Sequence, residues 1–172
     1  MVRIARFGKE HLEATQRWLA SPTLRAEIDC LKAPTQAENE ACWQRRWKDP
    51  SREDYAIIDD QDGHDIHVGN CGLSDLDLKR SRAQLWIYIA EQQGRGIGGA
   101  VMRLLLKRTF EDLKLEKLYL RVPVSNARAN EFYRWLGFVE EGRLRHDMIS
   151  SDGFVDSFLL SMLSHEFKLA PL

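Results

Sequence analysis

The chain has 172 residues, of which 44% are hydrophobic, so one compact domain over residues 1–172 can bury a substantial core without disulfides or metals. Its 25 Lys and Arg nearly cancel its 26 Asp and Glu, and a formal net charge of −1 gives no case for nucleic acid or a membrane surface as partner. Cys30, Cys42 and Cys71 lack the two-residue spacing of metal or redox sites and read as reduced, buried small hydrophobes, while the N-terminal Met1-Val2-Arg3-Ile4 opens no apolar leader; a cytosolic protein without a metal is expected.

In chain order, residues 2–7 alternate apolar and polar positions as a strand does, and Gly8 ends it. Leu12, Thr15, Trp18 and Leu19 recur at helical spacing within residues 9–20, a pattern that Ser21-Pro22 stops. Residues 24–33 show no period. Thr35 with Glu38 three residues on is a capping box, predicting a helix to about Lys48 on which Trp43 and Trp47 share a core-packing face. Residues 55–59 and 66–73 read as a hairpin about Asp60-Gln61-Asp62-Gly63. After a turn at Lys79-Arg80-Ser81, Leu85-Trp86-Ile87-Tyr88-Ile89 is apolar on both faces, as in a strand covered on both sides.

From about Gly98 to Leu113 a helix buries Val101, Met102, Leu105 and Phe110 and shows Arg103, Lys107 and Glu111 outward. A strand at Leu118, Leu120 and Val122 completes a βαβ unit. Ser125-Asn126 opens a helix carrying Ala129, Phe132, Tyr133 and Leu136, and Gly137 is placed to end it in a left-handed conformation. Two strands, about residues 138–149 and 154–163, flank a turn at Ser151-Asp152-Gly153. His11 and His165 are expected to face solvent, and His146-Asp147 to form a surface pair.

Gln93-Gly94-Arg95-Gly96-Ile97-Gly98-Gly99 lies between the central strand and the long helix. Several backbone N–H groups are then exposed at a helix N-terminus, where the dipole favours an anion such as phosphate. Glycine lets phosphate oxygens reach the backbone and tolerates positive φ, and Arg95 can add a charge-assisted contact. The run also satisfies G-x-G-x-x-G, but the next strand ends Arg121-Val122-Pro123-Val124 with no carboxylate for a ribose, which weighs against a dinucleotide.

With Asn126, Ala129, Tyr133 and Gly137-Phe138 following Gln93, Gly96 and Gly98 in order, the chain resembles the GNAT superfamily of acyl-CoA-dependent N-acetyltransferases. Glu141-Gly142-Arg143-Leu144-Arg145, Gly153 and Asp156 are similar to the branch that holds ribosomal-protein N-terminal and spermidine acetyltransferases. The resemblance implies a single mixed α/β domain. Its mostly antiparallel sheet would have about seven strands with helices on both faces.

The resemblance further implies acetyl-CoA as co-substrate, held by the backbone of Ile87, Tyr88 and Ile89, by Gln93, Gly94, Arg95, Gly96, Gly98 and Gly99, and by Asn126, which helix capping explains equally well. Tyr133 would protonate the leaving thiolate, or else simply pack beside Phe132 and Leu136. Family positions for a general base fall here on Gln84 and Arg121, which cannot deprotonate an ammonium. Asp75, Asp77, Glu141 and Asp147 are nearby carboxylates, so the base stays open. The acceptor expected is a small-molecule primary amine such as an amino sugar, a polyamine or an antibiotic. A protein N-terminus and a non-catalytic acyl-CoA-binding module are the alternatives, and the apolar last strand could pair across a homodimer.

Overall fold

The computed structural model describes residues 1–28, 30–61, 63–150 and 153–167; Asp62, Ser151 and Asp152, on which the two expected turns fall, lie outside the described residues. The elements are β1 Val2–Arg6, α1 Leu12–Trp18 after a short 3₁₀ turn, α2 Pro22–Glu27, α3 Gln36–Trp47, β2 Glu53–Gln61, β3 His64–Asp77 and β4 Arg82–Ile89. Then come α4 Ile97–Lys107, a π turn Arg108–Asp112, β5 Lys117–Pro123, α5 Ala127–Trp135, β6 Val139–Ser150, β7 Gly153–Leu163 and α6 Ser164–Phe167.

Local chemistry accounts for several boundaries. Thr35 Oγ1 accepts from the Glu38 N–H at 3.2 Å while Glu38 Oε2 accepts from the Thr35 N–H at 2.7 Å, a complete capping box. Gly137 takes φ 97°, so α5 closes with the Phe138 N–H on the Tyr133 carbonyl and the Gly137 N–H on that of Arg134. That is the paired C-terminal arrangement which left-handed glycine permits. α1 ends ahead of Ser21-Pro22 as expected, and the pair also starts α2, which the sequence did not show: Ser21 Oγ accepts from the Leu24 N–H at 3.4 Å and Pro22 occupies the first helical position.

The strands form one sheet in the order β1-β2-β3-β4-β5-β7-β6, antiparallel throughout except between β4 and β5. Both faces are covered. Ile57 of β2 joins the main core, where α4 buries Ile97, Val101, Met102, Leu105 and Leu106, while its neighbours Ala56 and Ile58 pack with Phe7, Leu12 and Trp43 on the other face. That alternation is what a strand between two helical layers requires.

Several expectations change. β7 is flanked by β5 and β6, so the last strand has no free edge with which to pair across a dimer. Trp43 packs beside Phe7, but Trp47 is 49% exposed, with the Arg6 guanidinium 5.3 Å from its ring. Only Cys71 of the three cysteines is fully buried. His11 is not at the surface: it is 9% exposed, because His11, Thr15 and Trp18 share the inward face of their helix. Among the described residues no helix is long and apolar enough to cross a membrane, and no group of three or more His, Cys, Asp and Glu could hold a metal ion.

Candidate active site

The parallel ladder between β4 and β5 is short. It joins Arg82, Ala83 and Gln84 to Lys117, Leu118 and Tyr119, and beyond them β5 pairs with β7 alone while β4 pairs with β3 alone. A slot opens between the strands, and a cleft of ≈ 690 Å³ runs through it, lined by β4, the glycine run, the end of β5 and α5. The Ala90 N–H donates to the Val68 carbonyl at 2.8 Å. By the alternation of an antiparallel ladder, Tyr88 likewise turns its backbone to β3, while Ile87 and Ile89 turn theirs toward the slot.

The glycine run forms the slot's upper rim. Gln92, Gly94 and Gly96 take φ of 59°, 86° and 76°, and Gly96 caps α4 in the left-handed region. A Cβ on Gly94, Gly96 or Gly99 would meet nothing within 4 Å, so these positions are open to a ligand rather than filled by protein. Gln93 Nε2 donates to the Ile89 carbonyl at 2.9 Å, pinning the loop to the strand end. Arg95 folds back, its guanidinium on Gln92 Oε1 at 2.8 Å, and does not line the cleft.

Tyr133 and Asn126 come from α5. Asn126 Oδ1 accepts from the Ala129 N–H at 3.1 Å, so it caps the helix while also lining the cleft. Tyr133 is 8% exposed and lines the cleft, and its hydroxyl makes no hydrogen bond to any described residue. Burial pushes its phenol above the ordinary value. Its ring packs against Phe138 with centroids 5.7 Å apart, and Phe138 is the residue whose N–H bonds the Tyr133 carbonyl. The Gly137-Phe138 pair therefore does more than end α5; it locks the helical turn that aims Tyr133.

On the opposite face of the sheet, Ser74, Gln84, Trp86 and Tyr88 point away from α4, as the cross-strand pairs Ser74 with Gln84 and Gln84 with Tyr119 require. Tyr88 sends its hydroxyl into a buried network: Asn70 Nδ2 donates to Tyr88 at 2.6 Å and to Thr15 Oγ1 at 2.9 Å, and Asn70 Oδ1 lies 2.8 Å from His67 Nε2. The carboxylates considered as bases are engaged elsewhere. Asp75 accepts from the Tyr119 hydroxyl and Asp77 from Arg80; Glu141 meets Lys117 at 2.6 Å, and Asp147 meets Arg121 at 3.0 Å and Ser157. None of the four lines the cleft. His146 is exposed and stacks on Phe154, also outside it.

The model of the "Acetyltransferase (GNAT) domain" family matches residues 2–139. The chain belongs to this family. Membership makes it an acetyltransferase that draws on acetyl-CoA. Among curated relatives, spermidine N(1)-acetyltransferase of Escherichia coli is 27% identical over 157 residues, covering 82% of this chain and 84% of that protein. Alpha/beta-tubulin-N-acetyltransferase 9 of Drosophila melanogaster is 28% identical over 152 residues, covering 80% and 75%. The solved structure of spermidine N-acetyltransferase from Vibrio cholerae in complex with CoA and spermine superposes with a TM-score of 0.90 at 22% identity, covering 97% of this chain and 98% of that one. That likeness shares the GNAT fold with its seven-stranded sheet.

Of the residues singled out in the sequence, the cleft brings together Ile87, Tyr88, Ile89, Gln93, Gly94, Gly96, Gly98, Gly99, Asn126 and Tyr133, and leaves Arg95 outside. It also contains Arg46, Arg52, Trp86, Arg128 and Phe132, which the sequence did not nominate. Arg46 and Arg52 come from segments that carry no residue nominated for the site, so no motif could have gathered them, whereas Trp86 adjoins Ile87 on β4 and Arg128 and Phe132 sit four apart on α5 with Tyr133.

Proposed function

We propose that this chain, as one domain over residues 1–172 working in the cytosol, transfers an acetyl group from acetyl-CoA directly to the primary amine of a small molecule, with Tyr133 as general acid. The observation that carries it is the Tyr133 hydroxyl, unpaired among the described residues, at the wall of a slot rimmed by a glycine loop that no side chain fills at Gly94, Gly96 or Gly99. Acetyl-CoA supplies the thioester. The residues present fit its parts: the N–H groups at the start of α4 suit the pyrophosphate, and the backbone of Ile87 and Ile89 suits an amide-bearing arm threading the slot.

Each residue then has a task. The strand ends and the loop hold the donor in place, and bringing acceptor and donor together in fixed geometry lowers the barrier without any proton chemistry. The neutral amine nitrogen attacks the thioester carbon; the C–N bond forms as the C–S bond breaks, and the nitrogen loses its proton to solvent. Tyr133 donates its O–H to the departing sulfur and is reprotonated from water. A phenol with a raised pKa stays protonated through the neutral range, which suits a donor and not a base.

The curated spermidine relatives support an amine acceptor, and the tubulin relative keeps a protein acceptor in view as a second reading. The test is release of CoA thiol from acetyl-CoA against a panel of amines and N-terminal peptides. If acetyl-CoA binds but nothing in the panel is acetylated, the enzyme reading gives way to an acyl-CoA-binding module.

A further inference from the structure

The cleft is uneven in charge. On the sheet face away from α4 it is bounded by Arg46 of α3, Arg52 just ahead of β2 and Arg121 of β5, whereas Glu27 at the end of α2 is the only carboxylate lining it among the described residues. Arg46 and Arg52 each place their guanidinium 6.0 Å from the Trp86 ring, so the two cations share one aromatic floor. Arg52 is paired with Asp54 at 3.1 Å and Arg121 with Asp147 at 3.0 Å, and both carboxylates sit outside the cleft lining. Arg46 is exposed and has no carboxylate partner among the described residues.

We propose that the acceptor is a small primary amine bearing a carboxylate or phosphate, seated by Arg46 and Arg52 over Trp86, and not a polyamine. The inference rests on the acetyl-transfer reading and narrows its substrate class. A guanidinium presents a planar fork of N–H donors that matches either anion, and an arginine already paired with one carboxylate keeps donors to spare. A polyamine carries several ammonium groups at neutral pH, and it would have to sit on a face whose cleft-lining charges, Glu27 apart, are guanidinium groups, the carboxylates that pair Arg52 and Arg121 lying behind them outside the cleft and Arg46 having none among the described residues. The same charge supplies what the positions of Gln84 and Arg121 lack. Cations beside a bound amine disfavour its ammonium form, so the nitrogen reaches its neutral, nucleophilic state without a carboxylate base.

The experiment uses the full chain with saturating acetyl-CoA and reads thiol release for matched acceptors: glucosamine 6-phosphate against glucosamine, alanine against alaninamide, and spermidine and putrescine. The two anionic arms tell phosphate from carboxylate. We expect kcat/KM for at least one anionic amine to exceed that of its uncharged partner and of spermidine by about tenfold or more, the effect of one charge-assisted contact. Arg46→Gln should raise KM for the anionic amine about tenfold and KM for the partner lacking the anion by about twofold at most, while any fall in kcat from the lost cation is shared by both amines. Arg46→Lys should recover part of the loss. Spermidine as the best acceptor, or an equal rise in KM with Arg46→Gln for amines with and without the anion, overturns the inference and leaves acetyl transfer standing. Failure to acetylate any amine while acetyl-CoA still binds overturns both.

Discussion

Gln84 and Tyr119 are the last residues of β4 and β5 to lie side by side, and the slot begins where their pairing ends. Gly98 stands across its mouth: a Cβ there would meet Ile89 Cδ1 at 3.5 Å and Phe132 Cζ at 3.8 Å, ordinary contacts that the protein tolerates. Gly98→Ala should therefore hold or slightly raise the melting temperature, since alanine favours the helix by roughly 0.5–1 kcal/mol, while it weakens acetyl-CoA binding by occupying the slot. Gly96→Ala should lower both, because φ 76° is strained for a side chain by about 1 kcal/mol or more. Calorimetric titration beside thermal melts separates the two; equal coenzyme affinity in Gly98→Ala would remove the slot from the binding site.

Tyr133→Phe tests the proton donor. Because the hydroxyl bonds to no described residue, its loss should change stability by no more than about 0.5 kcal/mol and leave acetyl-CoA affinity intact. kcat should fall on the order of 10²-fold or more, the range for a positioned general acid. Since burial raises the Tyr133 pKa, the wild-type rate should show no loss through its ionisation below about pH 10. A variant with wild-type kcat assigns Tyr133 to packing against Phe132 and Phe138.

Elements with chemical punctuation were legible in the sequence. The Thr35 and Glu38 box, the Asn126 cap and Gly137 each fix a helix end through two or three adjacent residues, and all three stand as read. Ser21-Pro22 stops α1 as read, but α2 was missed because the same dipeptide that breaks one helix caps the next, and six residues are too few to show a period. His11 was placed at the surface although its spacing to Thr15 and Trp18 is that of one helical face. Of the arginine-lined face only Arg121 drew notice in the sequence, as the position of a missing base; Arg46 of α3, Arg52 ahead of β2 and Trp86 of β4 join it only through the tertiary fold.

His11 and His67 should make stability depend on pH. Their rings lie 4.8 Å apart beside Trp18, and burial holds both pKa values below 6.5, with Glu10 and Glu91 opposing the shift more weakly. Between the folded values and 6.5 the unfolded chain binds more protons, so stability is full above the unfolded value and is lost as pH falls through it. The urea midpoint should drop between pH 7.5 and 5.5, roughly the window below the unfolded histidine value. His67→Gln keeps a donor toward Asn70 Oδ1, and it should flatten that drop. An unchanged slope in His67→Gln would place the pH dependence elsewhere.

Asn126 has two roles that substitution can part. Its Oδ1 caps α5 through the Ala129 N–H, so Asn126→Ala should cost about 1 kcal/mol of stability, the usual effect of removing such a cap. Asn126→Ser restores a capping oxygen on a shorter side chain, and stability should return to within a few tenths of a kcal/mol. If the amide also bonds the coenzyme from the cleft wall, the serine variant recovers its urea midpoint but keeps a raised KM for acetyl-CoA. Recovery of both in Asn126→Ser would make capping the whole function of this residue. Asn130, whose Nδ2 donates to the Asn126 carbonyl at 2.8 Å and to that of Pro123 at 2.9 Å, holds the strand-to-helix turn in either variant. A change in KM can then be read as a lost contact rather than a moved loop.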